Sequence, residues 1–299
     1  MKNPEQQGMR ISLVGALFFA ILGISFAVWS ESQAVLLDGA FNLITAVMVL
    51  FAMRITRLLQ TPESEKRPAG YVALEPLYIL GKGLVLLVLT LFVMASNVII
   101  LFSGGNELKL GAITIYIGIA VIGNFIIWYM IHTRQKGAPS PLLEVEKQNW
   151  LVNTLISTGI GISFFLVFLF QDGALKSIVP YVDQVVVILV GLISLPVPIN
   201  AIRAGLKELL LMGADDPIQE KAREIVGAGL NKSEVKEWKL YVLKTGRKYW
   251  FSLFINPAEE SIDADMGDKI REMLTPELLK EFSQCNMDVI FTRVDELKI

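Results

Sequence analysis

The chain has 299 residues, 53% of them hydrophobic and 19% charged, with a mean hydropathy of +0.54 and a formal net charge of −2. That balance is too apolar for an ordinary soluble domain and offers no basic stripe for nucleic acid, so a membrane protein is expected and a nucleic-acid binder excluded. One cysteine, Cys285, forms no internal disulfide, and one histidine, His132, builds no Cys/His zinc cage, so any metal site must rest on oxygen ligands.

Apolar runs of about 20 residues, the length that crosses ~30 Å of hydrocarbon, recur at residues 11–29, 35–55, 74–102, 110–131, 150–170 and 182–199 and predict six transmembrane helices. The first is longer than the apolar part of a secretory signal and lacks a small-residue cleavage pattern, so a retained helix is expected. Pro196 and Pro198 are expected to end or kink the sixth. Lys2 and Arg10 precede span one; Arg54, Arg57, Lys66 and Arg67 separate spans two and three; Arg134, Lys136 and Lys147 separate spans four and five. The opposite side holds Lys109 and Lys176, so the positive-inside rule predicts two cytoplasmic termini, here in the cell's inner (cytoplasmic) membrane. Trp29, Trp128, Tyr129 and Trp150 fall near span ends, where interfacial aromatics belong.

Span two carries Asp38. A carboxylate inside hydrocarbon costs at least about 2.5 kcal/mol, so such a residue marks an ion or proton route. Asn42 follows at i+4, on the same helix face. Span five opens with Asn149 and Asn153 at the same spacing. If spans two and five touch, Asp38, Asn42, Asn149 and Asn153 offer four oxygen ligands, suited to a hard cation such as Mn²⁺ or Mg²⁺ more than to Zn²⁺. Span three holds Lys82, two turns after Glu75 on one face. Lys82 is expected to pair with Asp38, with Glu75 through water, or with a carboxylate across a dimer; a reversible pairing with Asp38 would couple ion binding to release of a partner charge. Glu75, Glu146 and Asp183, near span ends, read as helix-end charges, and the glycines at 81, 83, 159 and 161 as points of close helix approach.

The membrane part is expected to occupy residues 1–212 and a small α+β tail residues 213–299. Residues 218–230 read as a helix and 235–244 and 247–256 as alternating strands, with Thr245-Gly246 as a two-residue hairpin turn. A helix from about Asp263 is expected to restart at Thr275-Pro276, and residues 287–294 close as a third strand, giving the order αββαβ. So small a unit favours pairing with a copy of itself.

These features together resemble the cation diffusion facilitator, or cation efflux, family. The likeness rests on the span pattern, the αββαβ tail, the LLDGAFN core after Ser32, the GYVALEP loop with Glu75, Glu146 ahead of span five, and the YVDQ opening of span six with Asp183. In that family a D-x-x-x-D or related pair in span two and an H-x-x-x-D or D-x-x-x-D pair in span five build the transport site. The matching positions here are Asp38 with Asn42 and Asn149 with Asn153, one carboxylate and three amides. A divalent ion there keeps about one uncompensated positive charge, so a manganese- or iron-like ion is expected rather than zinc.

The resemblance implies a secondary transporter that exports a divalent metal cation in exchange for protons, as a homodimer in the lipid bilayer, with no resident cofactor. Two alternatives stay open: a structural or regulatory membrane protein of the same fold, and a carrier of a monovalent cation. An enzyme is not expected, since the sequence offers no nucleophile, histidine base or phosphate loop.

Overall fold

The computed structural model describes residues 4–30, 33–105, 112–135, 140–170, 179–230, 235–258, 264–282 and 284–293. The chain divides into two compact units, one formed by Met1–Tyr71 with Tyr78–Ala204, the other by Val72–Leu77 with Gly205–Ile299.

The first unit is helical. It is built from α1 (Pro4–Ser30), α2 (Gln33–Leu58), all but the first turn of α3 (Leu74–Phe102), α4 (Ala112–Gln135), α5 (Pro141–Phe170), α6 (Val179–Ser194) and the start of α7 (Pro196–Leu209). Five helical stretches among the described residues are long and apolar enough to cross a membrane: Pro4–Trp29, Asp38–Leu58, Leu74–Phe102, Ile115–Gln135 and Gln184–Leu209. The remaining expected span, 150–170, falls within α5, part of whose second half lies outside the residues with described side chains. The last span does not stop at its prolines. It breaks at Leu195 and resumes as α7, because a proline removes one amide donor and tolerates the first turn of a new helix.

α1 packs along α2 and α4, and α5 lies against α4 and α6. Their shared core gathers Met9, Ala16, Phe19, Val49, Tyr116, Ile131, Leu143 and Trp150. Trp150, expected at an interface, is fully buried there; Trp29 and Tyr129 are exposed. Small residues set the α1–α2 spacing. A Cβ added to Gly39 would come within 2.9 Å of the Ile24 amide nitrogen and 3.1 Å of the Gly23 carbonyl carbon, backbone atoms that cannot move aside. Gly39→Leu is therefore expected to force the helices apart beside Asp38 and lower the melting temperature of the purified chain, read by circular dichroism. Of the glycines singled out in the sequence, Gly83 and Gly159 do sit in tight contacts, against Ile202 and Val190, whereas Gly81 borders open space and Gly161 makes ordinary contacts.

In the second unit, α8 (Asp216–Gly229) is followed by β1 (Val235–Thr245), β2 (Lys248–Pro257), α9 (Ala264–Glu281) and β3 (Cys285–Phe291). The sheet runs β1-β2-β3, with β1 antiparallel and β3 parallel to the central β2. Parallel strands need a crossover, which α9 supplies. The alternation expected from sequence places Leu240, Val242, Phe251, Leu253 and Ile255 on the buried face, covered by Val226, Leu274 and Leu278. Two expectations shift. Thr245 pairs with Lys248, so the turn is Gly246-Arg247, with Gly246 at φ +59°. α9 runs straight through Pro276 rather than restarting there, since burial of Leu274 and Leu278 outweighs one lost backbone bond. Burial raises the Cys285 thiol above its ordinary range, in keeping with a packing role.

Two carboxylates hold the hairpin tip. The Arg247 backbone amide donates to Glu75 Oε2 at 2.8 Å and its guanidinium to Oε1 at 2.5 and 3.0 Å, while Glu208 accepts from the Gly246 amide at 2.7 Å and from Lys244 at 3.0 Å. Glu75, in the first turn of α3, is thus engaged by Arg247 within this unit, and its carboxylate is fully buried. Gly246→Val would add about 1–2 kcal/mol of left-handed backbone strain and drive a Cβ into the Glu75 carboxylate. A lowered melting temperature of the full chain is the expected result.

Candidate cation site

Asp38 lies in the second turn of α2. Asn42, one turn on, donates its amide to the Asp38 carbonyl at 2.9 Å and to Oδ2 at 3.4 Å, and the Tyr116 hydroxyl of α4 donates to that same Oδ2. Asp38 itself stays accessible, while Asn42 and Tyr116 are buried. The Asn42 Oδ1 has no partner among the described residues. An oxygen desolvated and unpaired in this way is costly unless something binds it.

Asn149 is buried and its amide nitrogen lacks a partner among the described residues; Asn153 is half-buried. No described hydrogen bond joins this pair to Asp38 or Asn42. α1 gives the relative depth of the two pairs, because Gly23 lies against Gly39, Gly8 against Leu143 and Gly15 against Trp150. At 1.5 Å per residue, Asn42 and Asn153 differ in depth by about 3 Å, and Asp38 lies about 9 Å further toward the Ser30 end of α1 than Asn153. The middle amides are level, and the carboxylate is offset.

Lys82 pairs with none of the partners expected from sequence. Its Nζ lies 3.3 Å from Glu146 Oε1, and both side chains are essentially inaccessible. Glu146 is buried and fully engaged: Tyr78 donates to Oε1 at 2.5 Å, Ser12 to Oε2 at 2.8 Å, and the Trp150 indole to the Ser12 hydroxyl at 2.8 Å. Three helices, α1, α3 and α5, thus meet at one buried carboxylate. His132 stacks on Trp128 at 5.5 Å, and the Asp183 side chain lies outside the described residues. Sequence reasoning missed Tyr116, Tyr78 and Ser12. The one available signal was a polar tip within an apolar run, which normally finds a buried partner.

Among the described residues, no three His, Cys, Asp or Glu side chains converge. A cation in this unit therefore meets amides, hydroxyls and isolated carboxylates, a hard and weakly charged ligand set. Apolar helices long enough to cross a bilayer, with carboxylates kept within them, define a multi-pass membrane protein with an ion-handling interior. The cation efflux transmembrane domain model matches residues 9–210, about two thirds of the chain, and the protein belongs to that family of metal cation transporters. No curated protein matches it.

Proposed function

We propose that the protein exports a divalent, manganese- or iron-like cation from the cytosol in exchange for protons, with Asp38, Asn42, Asn149 and Asn153 as the ligands. α5 is then the fifth of six crossings, both termini are cytoplasmic, and the homodimer works in the inner membrane. Asp38 exchanges a proton for the metal, and the asparagines act as neutral co-ligands. What carries the proposal is the Asp38 carboxylate, held by Tyr116 and Asn42, beside the unpaired Asn42 oxygen, inside a chain of the cation efflux family.

The depth offset between the two pairs fits alternating access. Bringing Asp38 level with Asn153 needs a relative movement of α2 and α5 of the order of one to two helical turns, or a tilt that achieves the same closure. Tyr116 holds the carboxylate while no metal does. Purified protein in liposomes carrying a metal-sensitive dye and a pH dye tests the proposal, with Mn²⁺, Fe²⁺, Zn²⁺, Co²⁺ and Na⁺ offered in turn. Metal flux with opposite proton flux supports it; no flux of any ion favours a structural or regulatory role. Flux of Na⁺ alone favours a monovalent carrier, which the single carboxylate would balance in charge.

A further inference from the structure

We infer that Glu146 forms a second cation site, selective for a monovalent ion, which the Lys82 ammonium fills in this structure. The two partners are unequally provided for. An ammonium has three donors to satisfy, yet the buried Lys82 Nζ makes one ionic contact, at 3.3 Å, and no well-formed hydrogen bond among the described residues. The carboxylate, by contrast, has a hydroxyl on each oxygen, from Tyr78 and Ser12, with Ser12 fixed in turn by Trp150. The anion's surroundings are built without help from the lysine. The ammonium is the loosely held member.

Taking the ammonium away leaves a carboxylate and the two hydroxyl oxygens of Tyr78 and Ser12, all buried. This is an all-oxygen set of the kind hard cations take. Charge decides which ion: replacing one positive charge by one keeps the buried site neutral, whereas a divalent ion would leave an uncompensated charge in low dielectric. The lysine sits on a flexible four-carbon stem. Lys82 thus acts as a tethered competitor, and a monovalent cation displaces it one charge for one. This site stands apart from Asp38 and does not depend on the transport site proposed there.

Binding of ²²Na⁺ to the purified full-length chain, measured by scintillation proximity, tests the assignment. Lys82→Met is expected to bind one more Na⁺ per chain than the parent, at least tenfold more tightly. The extra ion should disappear in Lys82→Met/Glu146→Gln and survive in Lys82→Met/Asp38→Ala, which separates this site from the Asp38 site. A folded, monodisperse Lys82→Met that binds no additional Na⁺ overturns the assignment, as does an extra ion that persists without Glu146. Should Lys82→Met not fold, the parent chain still decides. Molar Na⁺, against equal choline, is expected to shift the Trp150 emission, a change lost in both Trp150→Phe and Glu146→Gln. No Na⁺-dependent shift, or one that survives Glu146→Gln, refutes it.

Discussion

Asp38→Asn is expected to abolish metal flux in proteoliposomes while leaving the protein folded. The asparagine keeps the shape of the side chain and an oxygen to accept from Tyr116, so the α2–α4 contact made by Oδ2 is retained. It removes the negative charge, which is the only one among Asp38, Asn42, Asn149 and Asn153. Interactions with a charged group contribute about 1.5–3 kcal/mol, equivalent to roughly tenfold to a hundredfold in affinity, and proton exchange is lost altogether because an amide does not titrate. Asp38→Ala should lose flux equally and also melt lower, having lost the Tyr116 and Asn42 contacts to the carboxylate. Asp38→Glu, which keeps the charge on a longer stem, should retain part of the flux. Parent-like metal uptake by Asp38→Asn, with its pH change intact, would remove Asp38 from the mechanism.

How far the sequence led depended on whether a feature was local. The apolar runs behind α1 to α4 and α6 are long, so length alone marked them. The tail strands declared themselves by two-residue alternation, and Leu253 and Ile255 are fully buried as that pattern requires. The Asp38–Asn42 pair was legible for the same reason, since one helix brings i and i+4 together wherever it packs.

Pairings between helices were not legible. Nothing in the order of residues says that Lys82 reaches Glu146, 64 positions on, or that Tyr116 reaches back to Asp38. Trp150 and Glu146 misled in a consistent way. Both stand near the start of an apolar run, where solvent or headgroups are the default environment, but α5 is a 30-residue helix that buries its opening turns against α1 and α3. Thr245 and Pro276 show the smaller form of the same limit, in which strand pairing and core burial moved a turn and carried a helix past its breaker.

The buried network makes a prediction with a sign that surface ion pairs do not share. Glu146→Ala leaves the Lys82 ammonium inaccessible with its one anionic contact gone, and the Ser12 and Tyr78 hydroxyls lose their acceptor. Breaking one partner of a buried pair typically costs about 3–5 kcal/mol, because the stranded charge has no compensation. A large fall in the melting temperature of the detergent-purified chain is expected. Lys82→Met should cost less, since Glu146 keeps both hydroxyl donors. Lys82→Met/Glu146→Gln should recover most of the loss seen in Glu146→Ala, as the glutamine still offers an oxygen to Ser12 or Tyr78 and no charge remains to be stranded. Strong non-additivity between the two positions follows, measurable as a double-mutant cycle on melting in which each glutamate variant is compared with and without the lysine. If Glu146→Ala melts with the parent, or if Lys82→Met does nothing to rescue Glu146→Gln, the pair is not the buried unit, with the lysine dependent on the glutamate, that the 3.3 Å contact implies.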